Sequence, residues 1–422
     1  MSAPLRPAYA RYVLGLLFVV YVMNFVDRQI LAILLDPIKQ DLGVSDTAMG
    51  FLTGFAFAAL YTVAGIPIAR LADRGSRRTV IATGLAVWSA TTAASGLARS
   101  FGQLALARVG VGIGEAAAVP PSHSLLADYF PPERRAAALG FYANGIYVGT
   151  MLAFLLGGAL ATRFDWRTAF FVVGLPGIPL ALLVRATIRE LPRGASEAAR
   201  TDHAEVPLGE VLRFLVARRS FVWIVLGSSL LSLTGYGILV WGPAFLGRVH
   251  GMEPAPIGRW LGILIGVAGS GGAWLGGLLA DRLGRRDLRW TLRAPALAML
   301  AGLPFGAGFL LLPTPGLALL CFAPFYVLSN MHVGPVWSAL QGISRLRMRA
   351  TVSAVFQFVM NLIGLGLGPL VVGMLNDELA DHFGDGAIRW SLCAVTAVGA
   401  LGALFLLAAS RSLPRDLAAR DA

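Results

Sequence analysis

Apolar runs of about twenty residues, each long enough to cross roughly 30 Å of hydrocarbon as a helix, follow one another along nearly the whole of this 422-residue chain. No water reaches the peptide groups inside a bilayer, so a spanning segment must satisfy its own hydrogen bonds, and a single run does so as a helix. Composition agrees: 56% hydrophobic and 14% charged residues, with a mean hydropathy of +0.70, describe a chain whose solvent is lipid.

Twelve such runs are predicted, at about 11–34, 48–71, 79–98, 102–128, 134–162, 167–186, 220–247, 256–280, 291–312, 315–342, 349–376 and 388–411. A ten-residue turn occurs twice between them. A-R-L-A-D-R-G-S-R-R runs from Ala69 to Arg78, and G-L-L-A-D-R-L-G-R-R from Gly277 to Arg286. Asp73 and Asp281 lie 208 residues apart, about half the chain, which is the mark of a duplicated six-helix unit. The expected fold is therefore an all-α membrane protein with twelve transmembrane helices in two pseudo-symmetric six-helix bundles. The polar, proline-bearing stretch 187–219, with Arg189, Glu190, Arg193, Glu197, Arg200, Asp202 and Glu205, reads as a cytoplasmic linker between bundles at 1–186 and 220–422.

The formal net charge of +12 does not point to nucleic acid, because the arginines are scattered through short loops. They report topology instead. Roughly 26 of the 35 Lys and Arg fall on the side that carries both termini and the loops after even-numbered runs, so both termini are expected to be cytoplasmic. Asp377, Glu378, Asp381 and Asp385 gather in a loop on the opposite side. Asp27 and Arg28 interrupt the first apolar run, which reads as a span and not as a signal peptide. Cys321 and Cys393 lie inside apolar runs and act as small apolar side chains. Gly-x-x-x-Gly pairs such as Gly110 with Gly114, Gly262 with Gly266 and Gly364 with Gly368 predict close helix contacts.

A charge at mid-bilayer costs about 2.5–3.5 kcal/mol on insertion scales, so the few intramembrane charges are candidate functional groups. Asn24, Asp27 and Arg28 stand on neighbouring turns of the first span. In the fourth, Arg108, Gly112 and Glu115 form one stripe at i, i+4 and i+7. These charges can make a mutually satisfying cluster that titrates, with Glu115 the first proton carrier and Asp27 the second, or a static ion pair that locks two helices. The second half offers neutral polar groups instead: Ser229, Tyr236, Trp241, Asn330, His332 and Trp337 are candidate cavity-lining residues. Each of these can equally serve as a helix–helix hydrogen bond. No catalytic triad, phosphate loop or Cys/His ligand spacing occurs, so neither an enzyme nor a metal or other cofactor is expected.

The doubled turn, the twelve runs and the central linker resemble the major facilitator superfamily. N-F-V-D-R in the first span, G-I-G-E-A in the fourth, P-P-E-R-R-A-A-A-L-G from Pro131 and D-W-R-T-A-F-F-V-V-G-L-P-G from Asp165 are similar to its Spinster-like branch. The resemblance implies a secondary transporter, proton-coupled and working by alternating access, with spans 1, 4, 7 and 10 lining the site. It implies a sphingolipid-like or lysophospholipid substrate; a small organic anion or drug is the alternative on the same fold, and a non-transporting receptor a third possibility. Arg28, Arg108 and Asn24 would partner substrate or the coupling acids. Asp73, Arg74, Arg77 and Arg78, with Asp281, Arg282, Arg285 and Arg286, would form a cytoplasmic gate, the acids capping neighbouring helices and the arginines meeting acids or lipid phosphates. Protons and membrane lipids are the other expected partners, a monomer the expected state. With one lysine, Lys39, against 34 arginines, a bacterial inner membrane is the expected location.

Overall fold

The computed structural model describes residues 7–192 and 206–419; the linker residues Arg193, Glu197, Arg200, Asp202 and Glu205 lie outside them. Every regular element among the described residues is helical. In order these are α1 (Pro7–Ile33), α2 (Leu35–Leu42), α3 (Asp46–Gly50), α4 (Ala56–Arg74), α5 (Arg77–Ser95), α6 (Phe101–Glu115), α7 (Val119–Tyr129), α8 (Pro132–Ala143), α9 (Gly145–Arg163), α10 (Trp166–Gly174) and α11 (Gly177–Thr187). There follow α12 (Leu208–Val216), α13 (Arg219–His250), α14 (Pro254–Gly284), α15 (Trp290–Leu311), α16 (Pro315–Asn330), α17 (Val333–Ile343), α18 (Arg349–Met360), α19 (Gly368–Phe383) and α20 (Ala387–Ala418). Two π-helical segments, Phe51–Phe55 and Asn361–Leu367, join α3 to α4 and α18 to α19. Nine helical stretches among the described residues are long and apolar enough to cross a membrane, the last of them, Thr351–Ala418, running through three helices. The chain is an all-helical, multi-pass membrane protein.

Helices begin where the sequence supplies an acceptor for their free N–H groups. Ser45 caps α3 through Ala48 N, Ser76 caps α5 through Thr79 N, Ser100 caps α6, and Asp165 caps α10 through Thr168 N. Gly43 and Gly251 close α2 and α13 in the left-handed region, at φ 62° and 64°, where a side chain would be strained.

Two compact units emerge. The first comprises Met1–Val44, Ala56–Asp202 and Glu253–Gly262; the second comprises Ser45–Phe55, His203–Met252 and Ile263–Ala422. Each thus takes one short segment from the other half of the sequence. In the first unit α1 packs along α9, and α5 lies against α6, α10 and α11. Lipid tails are as apolar as leucine, so close approach, not hydrophobicity, holds such helices together. A Cβ on Gly84 would fall 2.7 Å from the carbonyl of Gly114, and one on Gly110 would strike Thr91. In the second unit α13 packs along α20: a Cβ on Gly227 or on Gly402 would stand 2.8 Å from the other's carbonyl. Thr234 Oγ1 donates to the Val395 carbonyl at 2.7 Å, and Asp416 accepts from both N and Oγ of Ser220, capping α13.

Candidate functional site

The helix predicted as the fourth span is broken at Glu115. Pro120 and Pro121 have no N–H to give to the carbonyls of Ala116 and Ala117, and the chain there tightens into three-residue turns, with Ala117 N bonded to Gly114 O and Ala118 N to Glu115 O. Helix α6 therefore ends at Glu115, and α7 starts afresh at Val119.

Glu115 and Asp27 are fully buried, and Asn24 and Arg108 are each 1% exposed. Arg28 reaches across from α1 and donates from Nε at 3.0 Å and from Nη2 at 2.6 Å, both to Oε2 of Glu115. Its Nη2 also meets Asn24 Oδ1 at 3.3 Å. The second carboxylate oxygen, Oε1, has no hydrogen bond, and Asn24 Nδ2 faces this carboxylate without closing one. Arg108 donates from Nη1 to the main-chain carbonyl of Asp27 at 3.1 Å. The Asp27 carboxylate accepts no hydrogen bond; Trp88 Nε1 faces it without closing one. The guanidinium of Arg28 lies 4.9, 4.7 and 5.2 Å from the ring centres of Phe25, Phe57 and Tyr61. Such faces stabilise a desolvated cation.

All five polar residues singled out in spans 1 and 4 thus meet in the first unit, and the pairing is Arg28 with Glu115, while Arg108 holds backbone. The aromatic surround was not anticipated. Phe57 and Tyr61 stand at i and i+4 of α4, stacked with centres 5.5 Å apart, a spacing that the sequence displays but that looks like any apolar helix face.

The two copies of the D-R turn are not equivalent. Arg77 is buried and pairs with Asp128 and with Glu190, the latter at 2.8 Å, while also donating to Ser124 Oγ and the Leu191 carbonyl. Glu190 accepts further from Arg78 N and Ser76 Oγ, both at 2.9 Å. Burial opposes ionisation of this carboxyl, but the Arg78 N–H, the Arg77 guanidinium and the Ser76 hydroxyl outweigh it and hold Glu190 below the usual range. Arg78 donates to the Ile188 carbonyl at 3.0 Å. At the equivalent places of the second copy Arg285 and Arg286 are exposed, as is Arg282. The sequence difference explains this in part: Ser76 caps α5 and ties down Glu190, and its counterpart, Gly284, can do neither. Asp73, Arg74 and Asp281 are exposed, and neither aspartate's carboxylate has a hydrogen bond or ion pair among the described residues.

Of the expected cavity-lining residues, Tyr236, Asn330, His332 and Trp337 are half-buried. Asn330 and His332 are satisfied by carbonyls of their own helical turn, Tyr326 O at 2.8 Å and Ser329 O at 2.7 Å. Ser229 and Trp241 are placed more deeply. Both are enclosed in the second unit, at 1% and 0% exposure, and the Trp241 indole donates to Pro369 O at 2.9 Å. That bond satisfies the ring's one donor and ties α13 to α19.

Residues 17–369 match the family model described as Major Facilitator Superfamily. An MFS-type efflux pump of Mycolicibacterium smegmatis is 37% identical over 415 residues, spanning 97% of this chain and 95% of the relative. A D-galactonate transporter of Escherichia coli O6:H1 is 28% identical over 427 residues, 95% of this chain and 96% of that one. A crystal structure of a bacterial homolog of the human lysosomal transporter Spinster, inward-facing and unoccupied, superposes with a TM-score of 0.87 at 31% identity, covering 99% of both chains. The chain belongs to the Major Facilitator Superfamily. Within it, the chain falls in the Spinster-like branch, as a secondary transporter of the alternating-access type.

Proposed function

We propose that this protein carries an amphipathic, lipid-like molecule with an anionic headgroup, a lysophospholipid or sphingolipid in class, together with a proton. The observation that carries the reading is the buried Arg28–Glu115 pair set among three aromatic rings. While Glu115 is ionised it occupies Arg28. A proton on Glu115 removes that competitor and leaves a guanidinium for the headgroup, with Phe25, Phe57 and Tyr61 against the apolar part. Proton and anion then bind together, so their fluxes are linked. Asp27, buried without a hydrogen bond, costs several kcal/mol as an anion and is the second proton carrier. Arg108 anchors α6 to the Asp27 turn.

The carrier is built as twelve spans in two six-helix bundles, 1–186 and 220–422, joined by the linker 187–219, with both termini on the cytoplasmic side of a bacterial inner membrane. Asp73 and Asp281 latch the cytoplasmic side in the part of the cycle in which that side is closed. The decisive test is flux in proteoliposomes of purified protein. Lysophospholipid flux that a pH gradient drives and that Arg28→Ala abolishes is the expected result. A small organic anion is the second reading, favoured by the galactonate-transporting relative, and flux of such anions without lipid flux would replace the first.

A further inference from the structure

The first turns of the second span carry a buried charge that the site around Glu115 does not use. Asp46 is 2% exposed, yet two helices, α13 and α19, converge on it. Arg248, at the end of α13, forms a two-pronged ion pair with its carboxylate, Nη2 reaching Oδ1 at 3.0 Å and Nη1 reaching Oδ2. Asn376 of α19, itself 3% exposed, donates Nδ2 to Oδ2 at 2.9 Å. The neighbouring Asp377 returns the contact, its carboxylate accepting from the main-chain N–H of Asp46 at 3.1 Å and of Thr47 at 2.8 Å. Trp241 backs the cluster, its ring 5.6 Å from the Arg248 guanidinium.

Below this cluster the same helix lies almost backbone to backbone on its partner. A Cβ on Gly50 would stand 2.4 Å from the Pro369 carbonyl, and one on Gly54 2.5 Å from that of Gly366. The contact falls where both strands of the joint are π-helical, Phe51–Phe55 against Asn361–Leu367. A π-segment departs from the regular i→i+4 ladder and is frequent at functional sites. The division between the two compact units falls at the end of the first of these segments, between Phe55 and Ala56. The opposite exchange, in which the first unit takes Glu253–Gly262, is made by backbone packing: a Cβ on Gly258 would meet Phe154 O at 2.1 Å, and no ion pair ties that segment among the described residues. The charged joint is the one whose strength side chains set.

We propose that Asp46, Arg248, Asn376 and Asp377 are gate residues: together they clamp Ser45–Phe55 to α13 and α19, and their release, with Phe51–Phe55 as hinge, is the step that opens the non-cytoplasmic side. This rests on the alternating-access reading and not on the identity of the substrate. The test needs no substrate, so its outcome is separate from that of the flux assay above. A single cysteine at Thr47→Cys is labelled with a membrane-impermeant maleimide in proteoliposomes, alone and combined with Asp46→Asn, Arg248→Gln or Asp377→Asn, each variant being checked for monodisperse elution. Loss of one partner weakens the buried ion pair that holds the joint, so labelling is expected to rise on the order of tenfold or more with Asp46→Asn and Arg248→Gln, and less with the exposed Asp377. Asp377→Asn also keeps the test decisive should the two buried changes prevent folding. Labelling rates equal to the parent's in folded variants would overturn the proposal.

Discussion

Replacing Glu115 by glutamine removes one negative charge from the buried cluster and changes little else, since the amide has the carboxylate's shape. In the structure Arg28 gives two of its N–H groups to a single oxygen of Glu115, at 3.0 and 2.6 Å, with the acid side chain fully buried and the arginine's 10% exposed. Two unit charges about 4 Å apart interact by about 4 kcal/mol at an effective dielectric constant of about 20. Hydrogen bonds to the amide oxygen return only part of this, so Glu115→Gln frees Arg28 by a few kcal/mol. Two results are expected in one preparation. Affinity for an anionic amphipath, measured by calorimetry in detergent, rises on the order of tenfold or more, because the competitor is gone. Flux in proteoliposomes loses most of its response to a pH gradient, because Glu115, the first proton carrier, can no longer take up a proton and only Asp27 remains. A variant that keeps the wild-type gradient response, or that binds the anion more weakly than wild type, refutes the reasoning.

Arg77→Ala removes the guanidinium that joins the buried Asp128 to Glu190 and is expected to destabilise the protein by about 3–5 kcal/mol, seen as a lower thermal midpoint in detergent. Arg285→Ala, the same change in the second copy of the turn, removes an exposed side chain and is expected to stay within about 0.5 kcal/mol of wild type. The acid limb of stability has a stated sign. Glu190 is held below its ordinary range in the folded protein, so the unfolded chain binds the proton more readily; the stabilisation is fully present above the ordinary carboxyl value of about 4.3 and is lost as pH falls through the folded value. Melting followed from pH 6 to 3 should therefore fall less steeply in Glu190→Gln than in wild type.

The cost of charge in lipid made Asp27, Arg28, Arg108 and Glu115 visible before any coordinates, and helical spacing placed Arg108 and Glu115 on one stripe. It did not tell which arginine takes the acid. Periodicity gives a face; the rotation of one helix against another, which brings Arg28 to Glu115 across 87 positions of sequence, is a property of packing. Phe57 and Tyr61 were illegible for the same reason, since an aromatic pair at i and i+4 looks alike whether it meets lipid or a guanidinium. The D-R turn recurs in the sequence as a near-identical pattern, yet its two copies differ in the structure, and the hydroxyl of Ser76 accounts in part for a buried anchor in the first copy and exposed arginines in the second. Asp46 and Arg248 fall just outside the predicted runs 48–71 and 220–247, and nothing in the sequence pairs them.

The amino-acid sequence alone determined that this chain is helical, lives in a membrane, repeats a ten-residue turn and keeps a few expensive charges, because each of these follows from local composition and the solvation energy of single groups. The tertiary structure alone decided the partners: Arg28 with Glu115, Arg77 with Asp128 and Glu190, Asp46 with Arg248 and Asn376. Partnership depends on how closely two backbones approach, and that is set by glycines and proline breaks acting together over the whole fold.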